Sequence, residues 1–199
     1  MTTLQVLGRV YRAKLALLVV AVATVVAILS TATTGPGGLY SYVPTITPAV
    51  FASCVAAAAS AAVLAVPRAE ALEVTAARPQ WRARLAMAVG LYAVLLTAAV
   101  LVCLSAGTAW YFAPLTRDMV AVAGMTFALA ALLPPRYVAL AALAYVVVCI
   151  FGSRGWQWWD LLLAPPSWRN ELAAAVLGVV GAAVYAVRGA RPLAPEDEY

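Results

Sequence analysis

Leu15 to Pro67 reads LALLVVAVATVVAILSTATTGPGGLYSYVPTITPAVFASCVAAAASAAVLAVP and contains no charged side chain. One helical crossing of a bilayer takes roughly 20 apolar residues, so this run is long enough for two. It is interrupted where two crossings would meet, at Gly35-Pro36-Gly37-Gly38 and again at Pro44 and Pro48. The same reading extends outward. Leu85 to Thr116, Met119 to Pro135, Tyr137 to Ser153 and Leu172 to Val187 are also free of charge. Six membrane helices follow, near 15–34, 47–67, 85–106, 117–134, 136–153 and 171–188. The fourth and fifth are short and meet at Pro134-Pro135-Arg136. The composition agrees: of 199 residues, 65% are hydrophobic and 11% charged, with a mean hydropathy of +0.94. Soluble domains carry about a quarter charged residues, so the predicted class is all-α and polytopic in the membrane.

Basic residues set the expected orientation. Arg9, Arg12, Lys14, Arg68, Arg78, Arg82, Arg84, Arg136, Arg188 and Arg191 fall on one side of a six-span arrangement, and only Arg117, Arg154 and Arg169 on the other. Basic residues beside span ends are retained in the cytoplasm, which puts both termini there and the chain in the cell membrane. A five-span arrangement would scatter the charges. The N-terminal apolar segment is too long for a cleavable signal peptide. The net charge of +5 is accounted for by this topology and calls for no nucleic-acid partner.

Three segments outside the spans stand out. Residues 1–14 place Leu4, Leu7, Val10 and Tyr11 at helical spacing beside Arg9, Arg12 and Lys14, as in an amphipathic helix at the inner surface or a plain topogenic end. The connection 68–84 holds four arginines, Glu70, Glu73 and Trp81; its Ala69–Ala77 stretch favours helix and Pro79 would stop it. It suits either docking on a soluble partner or a solvated loop that only fixes topology. On the other side, Tyr40, Tyr42, Trp110, Tyr111, Phe112, Trp156, Trp158, Trp159 and Trp168 read mostly as an interfacial aromatic belt. Within 154–169, the stretch Gly155 to Pro166 is too short to span and too apolar for a free loop, which predicts a re-entrant hairpin before the last helix. The tail 192–199 is acidic, and its reading is a disordered cytoplasmic end.

Catalysis by this chain alone is not expected, and no catalytic or metal-ligating residue is assigned. The sequence has no histidine, hence no Ser-His or Cys-His nucleophile. Cys54, Cys103 and Cys149 fall in different spans and read as small buried hydrophobes. No G-x-x-x-x-G-K-[ST] phosphate loop occurs. No ionisable residue falls near a span centre, where ion-coupled carriers place theirs. Thr24, Ser53, Ser60, Thr97 and Thr126 read as hydroxyls bonded back to their own helices. Asp118 and Asp160 are each a lone carboxylate beside or near an arginine, without a second acid for proton transfer.

The phrases Ala71-Leu-Glu-Val-Thr-Ala-Ala-Arg-Pro-Gln-Trp-Arg-Ala-Arg84, Arg117-Asp118, and Leu177-Gly-Val-Val-Gly-Ala-Ala-Val-Tyr-Ala-Val-Arg-Gly-Ala-Arg191 sit in this six-span pattern. Over nearly its whole length the chain resembles the permease subunits of type-2 ABC exporters, and the phrases are similar to those of small permease-like proteins of high-GC Gram-positive bacteria. The resemblance implies a transport role driven by a separate ATP-binding cassette ATPase. That partner would dock through Glu73, Arg78, Trp81, Arg82 and Arg84 and through the N-terminal helix. ATP and Mg would be bound by the partner, and no cofactor by this chain. Two permease chains, alike or different, would enclose a path for a hydrophobic or amphipathic substrate, gated outside by Trp156, Trp158 and Trp159. The alternative is a non-transporting membrane subunit that anchors, assembles or regulates a larger complex; the two short spans favour it. Small residues at Ala56–Ala62 and Gly178-Val-Val-Gly181 allow close helix contact within one chain or between two.

Overall fold

The structure, a computed structural model, describes residues 3–34, 48–65, 81–105, 107, 111–152 and 167–189. These form six helices: α1 (Thr3–Thr34), α2 (Pro48–Ala65), α3 (Trp81–Ser105), α4 (Phe112–Leu132), α5 (Pro135–Gly152) and α6 (Trp168–Arg188). Among the described residues there is no strand. The protein is a helical polytopic membrane protein. Four helices (α1, α3, α4 and α6) are long and apolar enough to cross a bilayer, and α2 and α5 contain shorter apolar stretches. Prolines mark two of the starts: Pro48 opens α2 and Pro135 opens α5, positions whose missing N–H costs nothing.

Three boundaries differ from the sequence expectation. The interface helix expected over 1–14 and the span at 15–34 form one unbroken helix, because Arg12-Ala13-Lys14-Leu15 are all strong helix formers and nothing there stops the turn. At 1.5 Å per residue, the 32 residues of α1 extend beyond the roughly 30 Å hydrocarbon layer. Residues 81–84, expected at the end of the cytoplasmic loop, are the first turn of α3. The fourth helix begins at Phe112 rather than 117, with Pro114 in its first turn, where proline is tolerated. The sequence opens that span at Arg117-Asp118, two charges that the fold in fact encloses. The expected outer hairpin and the bulk of the 68–84 connection lie outside the described residues.

α4 is the best covered of the four long helices: 61% of its span is buried, against 17% for α1. It packs on α2, α3, α5 and α6, and α1 lies outside against α2 and α3. The contact of α4 with α6 is made by glycines. A Cβ on Gly124 would fall 2.5 Å from the Cα of Gly178, and one on Gly181 would land on the carbonyl oxygen of Gly124. Removing side chains here lets two backbones touch, the form of packing that holds helices together where lipid is as apolar as leucine. The small-residue face of the last helix, open in the sequence between intra- and inter-chain use, is therefore spent within the chain.

Above that contact, Phe127 of α4 lies fully buried between two tyrosines. Tyr185 of α6 stacks on it with ring centres 5.1 Å apart, and Tyr92 of α3 meets it edge-on at 6.2 Å. Each tyrosine also ties helices together. The Tyr92 hydroxyl donates to the carbonyl of Gly178 at 2.8 Å, and that of Tyr185 donates to the carbonyl of Leu64 at 3.1 Å. Leu64 stands in the last turn of α2, where carbonyls have no partner within the helix. The hydroxyls of Thr24, Ser60, Thr97 and Thr126 each donate to the carbonyl four residues earlier, at 2.6–2.9 Å, as expected. The three cysteines are buried and none is in a disulfide, also as expected. A two-residue link joins α4 to α5. Leu133 is extended, as a residue before proline should be, and its N–H closes α4 on the Leu129 carbonyl at 2.7 Å.

Candidate functional site

The antiparallel helices gather the charges at the two ends of the bundle. At one end lie Arg12 and Lys14 of α1, Arg82 and Arg84 of α3, Arg136 of α5 and Arg188 of α6. The contacts of this end are direct: Ala16, Leu64 and Met87, from α1, α2 and α3, line one groove, and the Arg84 guanidinium lies against Gly189 just after α6. Among the described residues this end holds no carboxylate. The two carboxylates that are described, Asp118 in the second turn of α4 and Glu171 in the first turn of α6, stand at the opposite end, with Arg117 and Arg169.

Of the residues expected to dock a partner, Trp81, Arg82 and Arg84 are described, and all three fall in the first turn of α3. Trp81 is 43% exposed, and the Arg82 guanidinium stands over its ring, 5.3 Å from the centre. Arg84 turns inward, toward the end of α6. An indole in the open beside a stacked guanidinium offers a flat apolar face and a cation together, at the start of a membrane helix. The same pairing recurs with Arg136 over Tyr137 at 4.8 Å and with Arg169 over Trp168 at 5.6 Å. These aromatic–arginine pairs mark both ends of the helices, as a membrane-interface belt does. Glu73, Arg78, Trp156, Trp158 and Trp159 lie outside the described residues.

The fold also builds a site at the opposite end. Arg117 and Asp118 are 6% and 1% exposed, inside the bundle rather than on its surface. The Arg117 Nε donates to Asp118 Oδ1 at 2.8 Å, and a terminal guanidinium nitrogen approaches the same oxygen at 2.8 Å. Cys54 of α2 and Tyr111, which caps α4, are both within electrostatic range of the pair, and Cys149 of α5 is within range of Cys54. Pairing explains why two charges are carried inside a membrane helix: the unit is neutral, so neither ion is left alone in an apolar interior. The local pairing was legible from the adjacency of the two residues. The enclosure was not, because it depends on α2 and α5 closing over α4. Tyr92, Phe127 and Tyr185 were missed altogether; for the two tyrosines the only sequence signal was a hydroxyl-bearing aromatic well inside an apolar run, and Phe127 carried none.

No group of three or more histidine, cysteine, aspartate or glutamate side chains comes together among the described residues. No family model, curated protein or solved structure matches the chain.

Proposed function

We propose that the chain is the membrane-spanning permease subunit of an ATP-driven ABC exporter in the cell membrane, with its basic end and both termini in the cytoplasm. The observation that carries this reading is the exposed Trp81–Arg82 pair at the mouth of α3, on an end of the bundle rich in cations. It adjoins the 68–80 connection, so a soluble ATPase would find a basic and aromatic shelf where force on α3 reaches the core through Tyr92. Substrate would pass between two permease chains, identical or different, since α4 and α6 are closed against each other. Its class would be hydrophobic or amphipathic: a lipid, a peptide or a drug-like molecule. A second reading, a subunit that anchors or assembles a larger membrane complex without transport, draws support from the same closure, because the packed glycines and aromatics leave α4 little room to move.

The test is a mild-detergent pull-down of the tagged chain from its native membrane, with mass spectrometry of its partners. The permease reading expects a stoichiometric ATP-binding cassette ATPase, released when Arg78 and Arg82 are both reversed to glutamate. A stable complex without an ATPase overturns it in favour of the assembly subunit. An ATPase retained and still coupled in the doubly reversed variant removes the docking surface.

A further inference from the structure

A groove of about 230 Å³ runs between the first halves of α1 and α3, with the end of α2 as its floor. Ala16 and Leu17, Leu64, and Met87, Gly90 and Leu91 line it, so its walls are almost wholly apolar. It is open at Gly90, where an added Cβ would meet no heavy atom within 4 Å. The volume is well above the roughly 30 Å³ that one water occupies, and water holds in a cavity only where polar partners exist. Hydrocarbon is the filling that such walls accept. The groove belongs to the basic end: Arg12 and Lys14 stand one turn before Ala16 and Leu17. The described carboxylates are both at the far end of the bundle.

We infer that this groove binds one acyl chain of an anionic phospholipid whose headgroup is held by Arg12 and Lys14 of α1. The chain supplies apolar contact, and the headgroup charge supplies selection. Near a membrane surface each basic side chain favours an anionic over a neutral lipid by about fivefold. Charge complementarity favours this occupant over the same end of a second copy, whose described residues there likewise carry cations and no carboxylate.

The experiment reconstitutes the full chain in vesicles of equal parts phosphatidylglycerol and phosphatidylcholine. Retained lipid per chain is then counted by native mass spectrometry after mild extraction. The expected result is one phosphatidylglycerol retained in clear excess over phosphatidylcholine. Gly90→Phe fills the groove and loses that lipid while melting like the parent. Gly90→Leu, a smaller filling, gives the same readout should the phenylalanine variant not fold. Lys14→Gln keeps a bound lipid but lowers the preference about fivefold. Equal retention of the two lipids by the parent, meaning exchange of surrounding lipid only, overturns the inference. So does unchanged retention in the filled variants, or a change of oligomeric mass in them without loss of lipid.

Discussion

The α4–α6 contact and the α1–α3 contact both rest on glycine, and the two glycine sites behave oppositely. Gly124, Gly178 and Gly181 are there because another backbone or side chain occupies the space a Cβ would need. Gly90 has nothing near it, and the space over it is a groove. The first contact is a lock that holds the most buried of the long helices. The second is an incomplete joint on the outermost helix, 17% of whose span is buried. A glycine in an apolar helix therefore carries no single meaning; what faces it decides whether it closes the protein or leaves room for a ligand.

The strongest way to break this comparison is to put a side chain into the lock. Gly181→Leu sets carbon against the Gly124 carbonyl, and no rotamer relieves a clash with backbone, so the expected outcome is loss of the monodisperse folded protein on size exclusion in detergent. The neutral pair near the same helix comes next. Asp118→Ala takes from the buried Arg117 the carboxylate beside it, a destabilisation of about 3–5 kcal/mol, whereas the double change Arg117→Met with Asp118→Leu should recover most of it. Thermal denaturation of the three proteins side by side checks this, and a double variant no better than Asp118→Ala would show that the site needs its charges for more than pairing. A smaller effect is expected at Tyr185→Phe, which keeps the ring on Phe127 and removes the bond to the Leu64 carbonyl, worth about 1 kcal/mol. The smallest effect sharpens the contrast from the other side. Gly90→Ala meets open space and gains helix propensity, so stability should rise by up to about 1 kcal/mol. A loss at that position in the same melting assay would mean that the groove is closed in the membrane.

The six helices were legible because a membrane span needs a long charge-free run, and such runs can be counted without knowing what they touch. Four side-chain hydroxyls were legible for a similar reason, since a serine or threonine in lipid has its own helix as the nearest acceptor. The fourth span shows where that logic stops. Its run was cut at Arg117-Asp118, yet α4 starts at Phe112 and carries both residues inside, because adjacent opposite charges count as neutral once other helices surround them. Trp81, Arg82 and Arg84 were picked out by type and position, and they do lie together at one helix start. Their division into an exposed stacked pair and an inward arginine followed only from the packing of α3 beside α6.

By itself the sequence determined the class of the protein, the six helices among the described residues and the gathering of most of their cations at one end, since these depend on transfer between water and lipid, residue by residue. Which faces of those helices meet was decided only in the tertiary structure. Between helices in lipid there is little hydrophobic drive, and the choice falls to shape: glycine against glycine, a phenylalanine between two tyrosines, a neutral ion pair enclosed by three helices, and a groove left where no side chain fills the gap.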